Sequence, residues 1–167
     1  MHTSAKLTAC ALALALSSTA AMAAEATADM KDAEGNPAGT VTMQDSNEGV
    51  LFQIELTGLA PGWHGFHVHQ TGDCGDGFKA AGDHYAPEGQ SHGLLADGGA
   101  HAGDLPNVYA DGNGEVRAHV TGARLSVDGE MGAMLDSDGS AIIVHENPDS
   151  YGADAGAGGR VACGVIE

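Results

Sequence analysis

The stretch "GFHVHQTGDC", residues 65 to 74, sets two histidines one residue apart. On a strand, His67 and His69 would point to one face, because alternate residues share a side. A pair of imidazoles on one face is half of a metal site. Leaving His2 aside, the other histidines are His64, His84, His92, His101, His119 and His145, and Asp104 follows His101 in "HAGD". Imidazole nitrogen with one carboxylate suits zinc, copper, iron or nickel rather than calcium or magnesium. Six of these histidines and Asp104 are too many ligands for one tetrahedral ion. They would serve two metals if one ligand were shared.

The elements that must position them are strands. "GVLFQIEL" (residues 49–56) alternates Phe52, Ile54 and Leu56 against Gln53 and Glu55, a period of two. "EVRAHVTGARLSV" alternates Val116, Ala118 and Val120 against Arg117, His119 and Thr121, and "SAIIVHE" is a branched apolar run ending near His145. Turn signals such as "EGNPAG", "DGNGE" and "DSDGS" separate them. Many short strands between Gly/Asp turns predict an all-β sandwich or barrel. Residues 72–108 break this rhythm while holding three of the histidines, which predicts a folded site loop. Residues 147–159, "NPDSYGADAGAGG", form a second irregular piece.

At 167 residues the chain fits one domain. Residues 1–24 read as a secretory signal peptide: Lys6, an apolar run from Leu7 to Leu16, then small residues around Ala21-Met22-Ala23. The run is too short for a membrane span. Cys10 lies near the start of that run, with most of the apolar region after it instead of before it, which argues against lipidation. The domain is therefore expected over 25–167, exported to the periplasm, with no membrane partner once the leader is cleaved. Removing the leader leaves Cys74 and Cys163. An even count in an exported chain suggests a disulfide over two separate buried thiols. With 23 Asp and Glu against 6 Lys and Arg, the chain lacks the basic face a nucleic acid needs. Nothing in the sequence distinguishes a monomer from a homodimer.

"GFHVHQTGDC", "AAGDHYAPEGQSHG", "HAGDLPNV", "VHENPD" and "GGRVACGVI" occur in an order and spacing that resemble the copper, zinc superoxide dismutases, particularly the exported bacterial ones. The resemblance runs from about Gly58 to Ile166. It implies an eight-stranded Greek-key β-sandwich or flattened barrel with long metal-binding loops, one copper, one zinc, and superoxide anion as substrate. It makes His67, His69 and His145 copper ligands and His84 an imidazole shared with zinc. His92, His101 and Asp104 would complete the zinc set. Arg160 would guide the anion, Asp149 would link His67 to His92, and Cys74 would pair with Cys163.

Some residues depart from that pattern. Tyr85-Ala86 stands where the family often has Phe-Asn, and the piece between His145 and Arg160 is short and lacks lysines, leaving Lys79 as the nearby base. His64, Trp63 and Phe66 read as packing residues, and His119 as a solvent-facing one. The rival reading is a non-enzymatic copper- or zinc-binding storage or delivery protein. Such a relative would be expected to lose the bridge, a copper histidine or the arginine, and His84, His67, His69, His145 and Arg160 are all present. A zinc hydrolase would need a general base beside an open zinc position, which the sequence does not offer.

Overall fold

The computed structural model describes residues 23–129 and 131–167. The expected leader lies outside the described residues except for Ala23 and Ala24, and the first strand begins at Glu25. The strands are β1 (Glu25–Asp32), β2 (Pro37–Ser46), β3 (Gly49–Leu56), β4 (Gly62–His64), β5 (Phe66–His69), β6 (Val108–Ala110), β7 (Val116–Gly122), β8 (Ala141–His145) and β9 (Arg160–Val165). Seven form one antiparallel sheet in the order β5-β8-β9-β1-β2-β3-β7, and β4 pairs with β6.

Only Gly65 separates β4 from β5, so the two are one run of chain that changes partner. Counted as one bent strand, they make an eight-strand architecture, and a strand that switches sheets is how such a sandwich turns its corner. A side chain does not fit easily at the bend. A Cβ on Gly65 would stand 3.2 Å from the His67 ring and 3.3 Å from the Cβ atoms of Ala157 and His145.

Alternation puts the core on one face. Ala26, Ala28 and Met30 of β1, Val41 and Met43 of β2, and Val50, Phe52, Ile54 and Leu56 of β3 are all buried. Phe66 meets Phe52 edge-on at 6.2 Å between ring centres. Each of the valine, leucine, isoleucine, methionine and phenylalanine side chains among them contributes about 1.5–3 kcal/mol on burial. A one-residue slip of β3 would exchange Phe52 and Ile54 for Gln53 and Glu55, which pins its register.

β5 and β8 are buried on both faces. Phe66, Val68, Ile142 and Val144 face the main core. On the opposite face, Ala141 and Ile143 pack with Phe78, Ala81 and Cys163 in a second, smaller core under the long loop that follows β5. The Cys74–Cys163 disulfide, with Cα atoms 5.8 Å apart, ties that loop to β9. Trp63 differs from the packing role expected of it. It is 56% exposed and lies against Tyr109 at 5.1 Å, because on β4 it is His64, its neighbour, that turns inward. Among the described residues no helix is long and apolar enough to cross a membrane.

Candidate metal centre

β5 supplies His67 and His69 on the face away from the main core, and β8 ends in His145 beside them. A register shift between Val144 and His145 sets His145 opposite Arg160, the first residue of β9. The other ligand candidates come from the long loop, which lies on the outer edge of β5. Val68 N–H donates to Gly103 O (3.0 Å), and Val68 O accepts from Tyr85 N–H (2.8 Å). Gln70 N–H donates to Asp83 O. The loop thus satisfies backbone groups that an edge strand would leave open, and in doing so sets His84 opposite His69 and Asp104 opposite His67.

Two clusters result. The ligand atoms of His67, His69, His84 and His145 lie within 4.8 Å of one another, as do those of His84, His92, His101 and Asp104. His84 belongs to both. Its ring centre lies 4.1 Å from that of His67, 4.8 Å from His69 and 5.0 Å from His92. In the second cluster the Nδ1 atoms of His84, His92 and His101 lie 2.7, 3.0 and 3.3 Å from Asp104 Oδ1. Asp104 Oδ2 accepts from the amides of Gly93 and His101. With Nδ1 of His84 so engaged, Nε2 is the nitrogen left for the first cluster.

His67 Nδ1, His69 Nε2 and His145 Nε2 are buried and have no hydrogen-bond partner among the described residues. A buried polar atom left unpaired costs about 1–3 kcal/mol, yet three occur in one cluster. The other nitrogen of each ring is engaged: His67 Nε2 with Asp149 Oδ2 (2.8 Å), His69 Nδ1 with Gly82 O (2.9 Å), and His145 Nδ1 with Gly158 O (3.5 Å). Such outer bonds fix the tautomer and aim the free lone pair. This all-nitrogen set fits copper. Three nitrogens with one carboxylate, four protein ligands in all, fit a closed zinc site.

Electrostatics keep the rings in the ligating form. Burial lowers the His67 pKa against the pull of Asp149. Burial, then the charge of His84, takes His69 down to about 2. Burial and the neighbouring His67 take His145 down to about 3. Both carboxylates are held below their usual range. Burial alone would raise Asp104, but hydrogen bonds from His84 and Gly93 outweigh it. Burial likewise opposes the lowering of Asp149 by His67 and the Tyr151 amide.

Asp149 joins the clusters, since its carboxylate also lies 3.2 Å from His92 Nε2. Arg160 is half-buried, and its guanidinium donates to Phe78 O and, at 2.6 Å, to Gly82 O. The Gly82 carbonyl therefore serves both His69 and Arg160. His64 belongs to neither cluster; its ring nitrogens lie 2.7 Å from the carbonyls of His145 and Ala60. His119 stands exposed on β7, and Lys79 is exposed in a short 3-10 turn, Lys79–Ala81. Sequence reasoning missed Gly82, Gly103, Asn107 and Tyr151. Gly82 and Gly103 act through backbone atoms, and Asn107 sits unremarked inside "HAGDLPNV".

Residues 37–166 match the family model for copper/zinc superoxide dismutase. The chain is 46% identical over 148 residues to a copper-zinc superoxide dismutase of Caulobacter vibrioides, with 85% of each chain covered. It is 38% identical to that of Photobacterium leiognathi, with 94% of each covered. Among solved structures, the Cu/Zn superoxide dismutase of Brucella abortus matches with a TM-score of 0.72 at 33% identity, over 86% of this chain and all of that one. A SOD-like protein of Bacillus subtilis matches with a TM-score of 0.79 at 32% identity, covering 83% and 96%.

Proposed function

The chain belongs to the copper/zinc superoxide dismutase family, and we propose that the residues gathered around His84 carry its reaction as two metal sets sharing that ring. The reaction is the disproportionation of superoxide: two superoxide anions and two protons give one dioxygen and one hydrogen peroxide. Copper would be held by His67, His69, His84 and His145 and would supply alternating one-electron reduction and oxidation, while zinc, which has no redox chemistry, would be held by His84, His92, His101 and Asp104.

The protein's own share is positional and electrostatic. Asp149 orients His67 and His92 through their Nε2 atoms. His84, with Nδ1 committed to the zinc set, has Nε2 as the atom able to hold a proton and deliver it to the product. Arg160 offers a small anion a permanent positive charge beside His145. In a chain of net charge −17 that local charge matters more than any long-range field. The Cys74–Cys163 disulfide accords with an oxidising compartment, and we place the protein in the periplasm after leader cleavage.

The observation that carries this reading is the trio of unpartnered buried nitrogens on His67, His69 and His145. The test is superoxide disproportionation by the copper- and zinc-loaded protein, with metal content measured on the same sample. Activity per copper should exceed that of free copper, and Arg160→Glu should lower the rate while copper stays bound. Full loading without activity would instead mark a metal-storage or delivery protein.

A further inference from the structure

Tyr151 has no part in either metal set, yet three separate pieces of the site meet on it. Its amide donates to Asp149 Oδ1. Its phenol oxygen accepts the Asn107 N–H at 2.8 Å. Its carbonyl accepts the Leu95 N–H at 2.8 Å. The Asn107 side chain in turn grips the Asp149 backbone: Asp149 N–H donates to Asn107 Oδ1 (2.8 Å), and Asn107 Nδ2 donates to Asp149 O (2.9 Å). The loop of residues 147–159, the lead-in to β6 and the loop carrying His92 are thereby locked to one another.

The backbone of Tyr151 is the second observation. Its φ is +65°, in the left-handed region where a side chain other than glycine is unfavourable. That conformation sets the directions in which the Tyr151 ring and carbonyl leave residues 147–150, toward Asn107 and Leu95. Glycine would reach it without strain, so a tyrosine held there must return something through its ring. That return is the Asn107 bond.

We propose that Tyr151, acting with Asn107, is a positioning residue that holds the Asp149 carboxylate between His67 and His92. The inference rests on the metal reading above, but its effect is visible without metal. Asp149 bonds directly to the Nε2 atoms of both rings, so loosening the carboxylate releases both ring protons. It also loosens His92 as a zinc ligand, since partners behind a ligand set its affinity.

Two variants separate ring from backbone. Tyr151→Phe removes only the acceptor for Asn107, and Tyr151→Gly removes the ring while relieving the strained φ. Nuclear magnetic resonance of the metal-free protein would follow exchange of the His67 and His92 ring protons, with the core amides of β2 and β3 as a gauge of global opening. Zinc affinity would be measured by competition with a chromophoric chelator.

In Tyr151→Phe both ring protons should exchange about fivefold faster and zinc should bind about fivefold more weakly, the factor one neutral hydrogen bond supplies. Tyr151→Gly should lose at least as much despite its relaxed backbone. The core amides should not follow. Ring exchange within twofold of the native rate in both variants would overturn the proposal, as would core amides accelerating by the same factor. Should the native protein fail to bind zinc, the metal reading falls, while ring exchange still decides the clamp.

Discussion

Gly103 is the point at which the long loop rests on β5, and replacing it with alanine is a direct test of that docking. Its carbonyl accepts the Val68 N–H, its amide donates to Tyr85 O at 2.9 Å, and Val68 O accepts the Tyr85 N–H. A Cβ at this position would fall inside the contact distance of Val68 O and 3.1 Å from Tyr85 N. Both neighbours are backbone atoms held by the sheet and the loop, so neither can swing away. Edge and loop must part, and three backbone hydrogen bonds lie in the path. At about 1 kcal/mol each, Gly103→Ala should cost about 3 kcal/mol. For a chain near this size that lowers Tm by about 6–12 °C. Because Asp104 follows directly and His84 precedes Tyr85, zinc affinity should fall as well, by about tenfold or more. Thermal unfolding of the metal-free protein and a zinc competition titration would measure both. A Tm within about 2 °C of native with unchanged zinc affinity would show that this contact does not hold the loop.

Acid should unfold the metal-free protein. His69 and His145 have native pKa values of about 2 and about 3 against 6.5 for a free imidazole. Between about pH 3 and 6.5 the unfolded chain therefore binds more protons. Stability should fall with pH through that window by about 1 kcal/mol per unit per ring. Asp104 and Asp149, held below their ordinary values, add to the loss in the same direction as pH drops below 3.8. Denaturant midpoints that do not change from pH 7 to pH 5 would contradict this. Reduction of Cys74–Cys163, a link between residues 89 apart, should cost about 4–5 kcal/mol in the chain-entropy account; a reduced protein melting with the oxidised one would rule that out. Tyr85→Phe removes the phenol O–H donated to Ala133 O at 2.8 Å. It should cost about 1 kcal/mol and leave metal stoichiometry unchanged, as unfolding and metal analysis would report.

The parts of the fold legible in the sequence are those in which alternation involves large side chains. β3 carries Val50, Phe52, Ile54 and Leu56 inward, and its limits agree with the run read from the sequence. β1 uses Ala26, Ala28 and Met30 for the same purpose, and two alanines set against Thr27 and Asp29 give period-two reading little contrast. The change of partner at Gly65 is invisible to periodicity, because burial switches from one side to both within a few residues. His67 and His69 were legible as a same-face pair because the pleat of a strand dictates it. Meeting His84 and Asp104 depends on loop backbone bonds to Val68, which no side-chain pattern records. Tyr151 left no signal for the same reason: its role follows from a left-handed φ and from contacts with residues far away in sequence.

If His84 serves both metal sets, the copper signal reads the sharing directly. Metal-free protein would be loaded with one copper per chain and its electron paramagnetic resonance spectrum recorded before and after one equivalent of zinc. Zinc should alter the copper spectrum, and His84→Ala should abolish that dependence in a protein that remains folded. A copper spectrum indifferent to zinc in the native chain would mean that the two sets do not share His84.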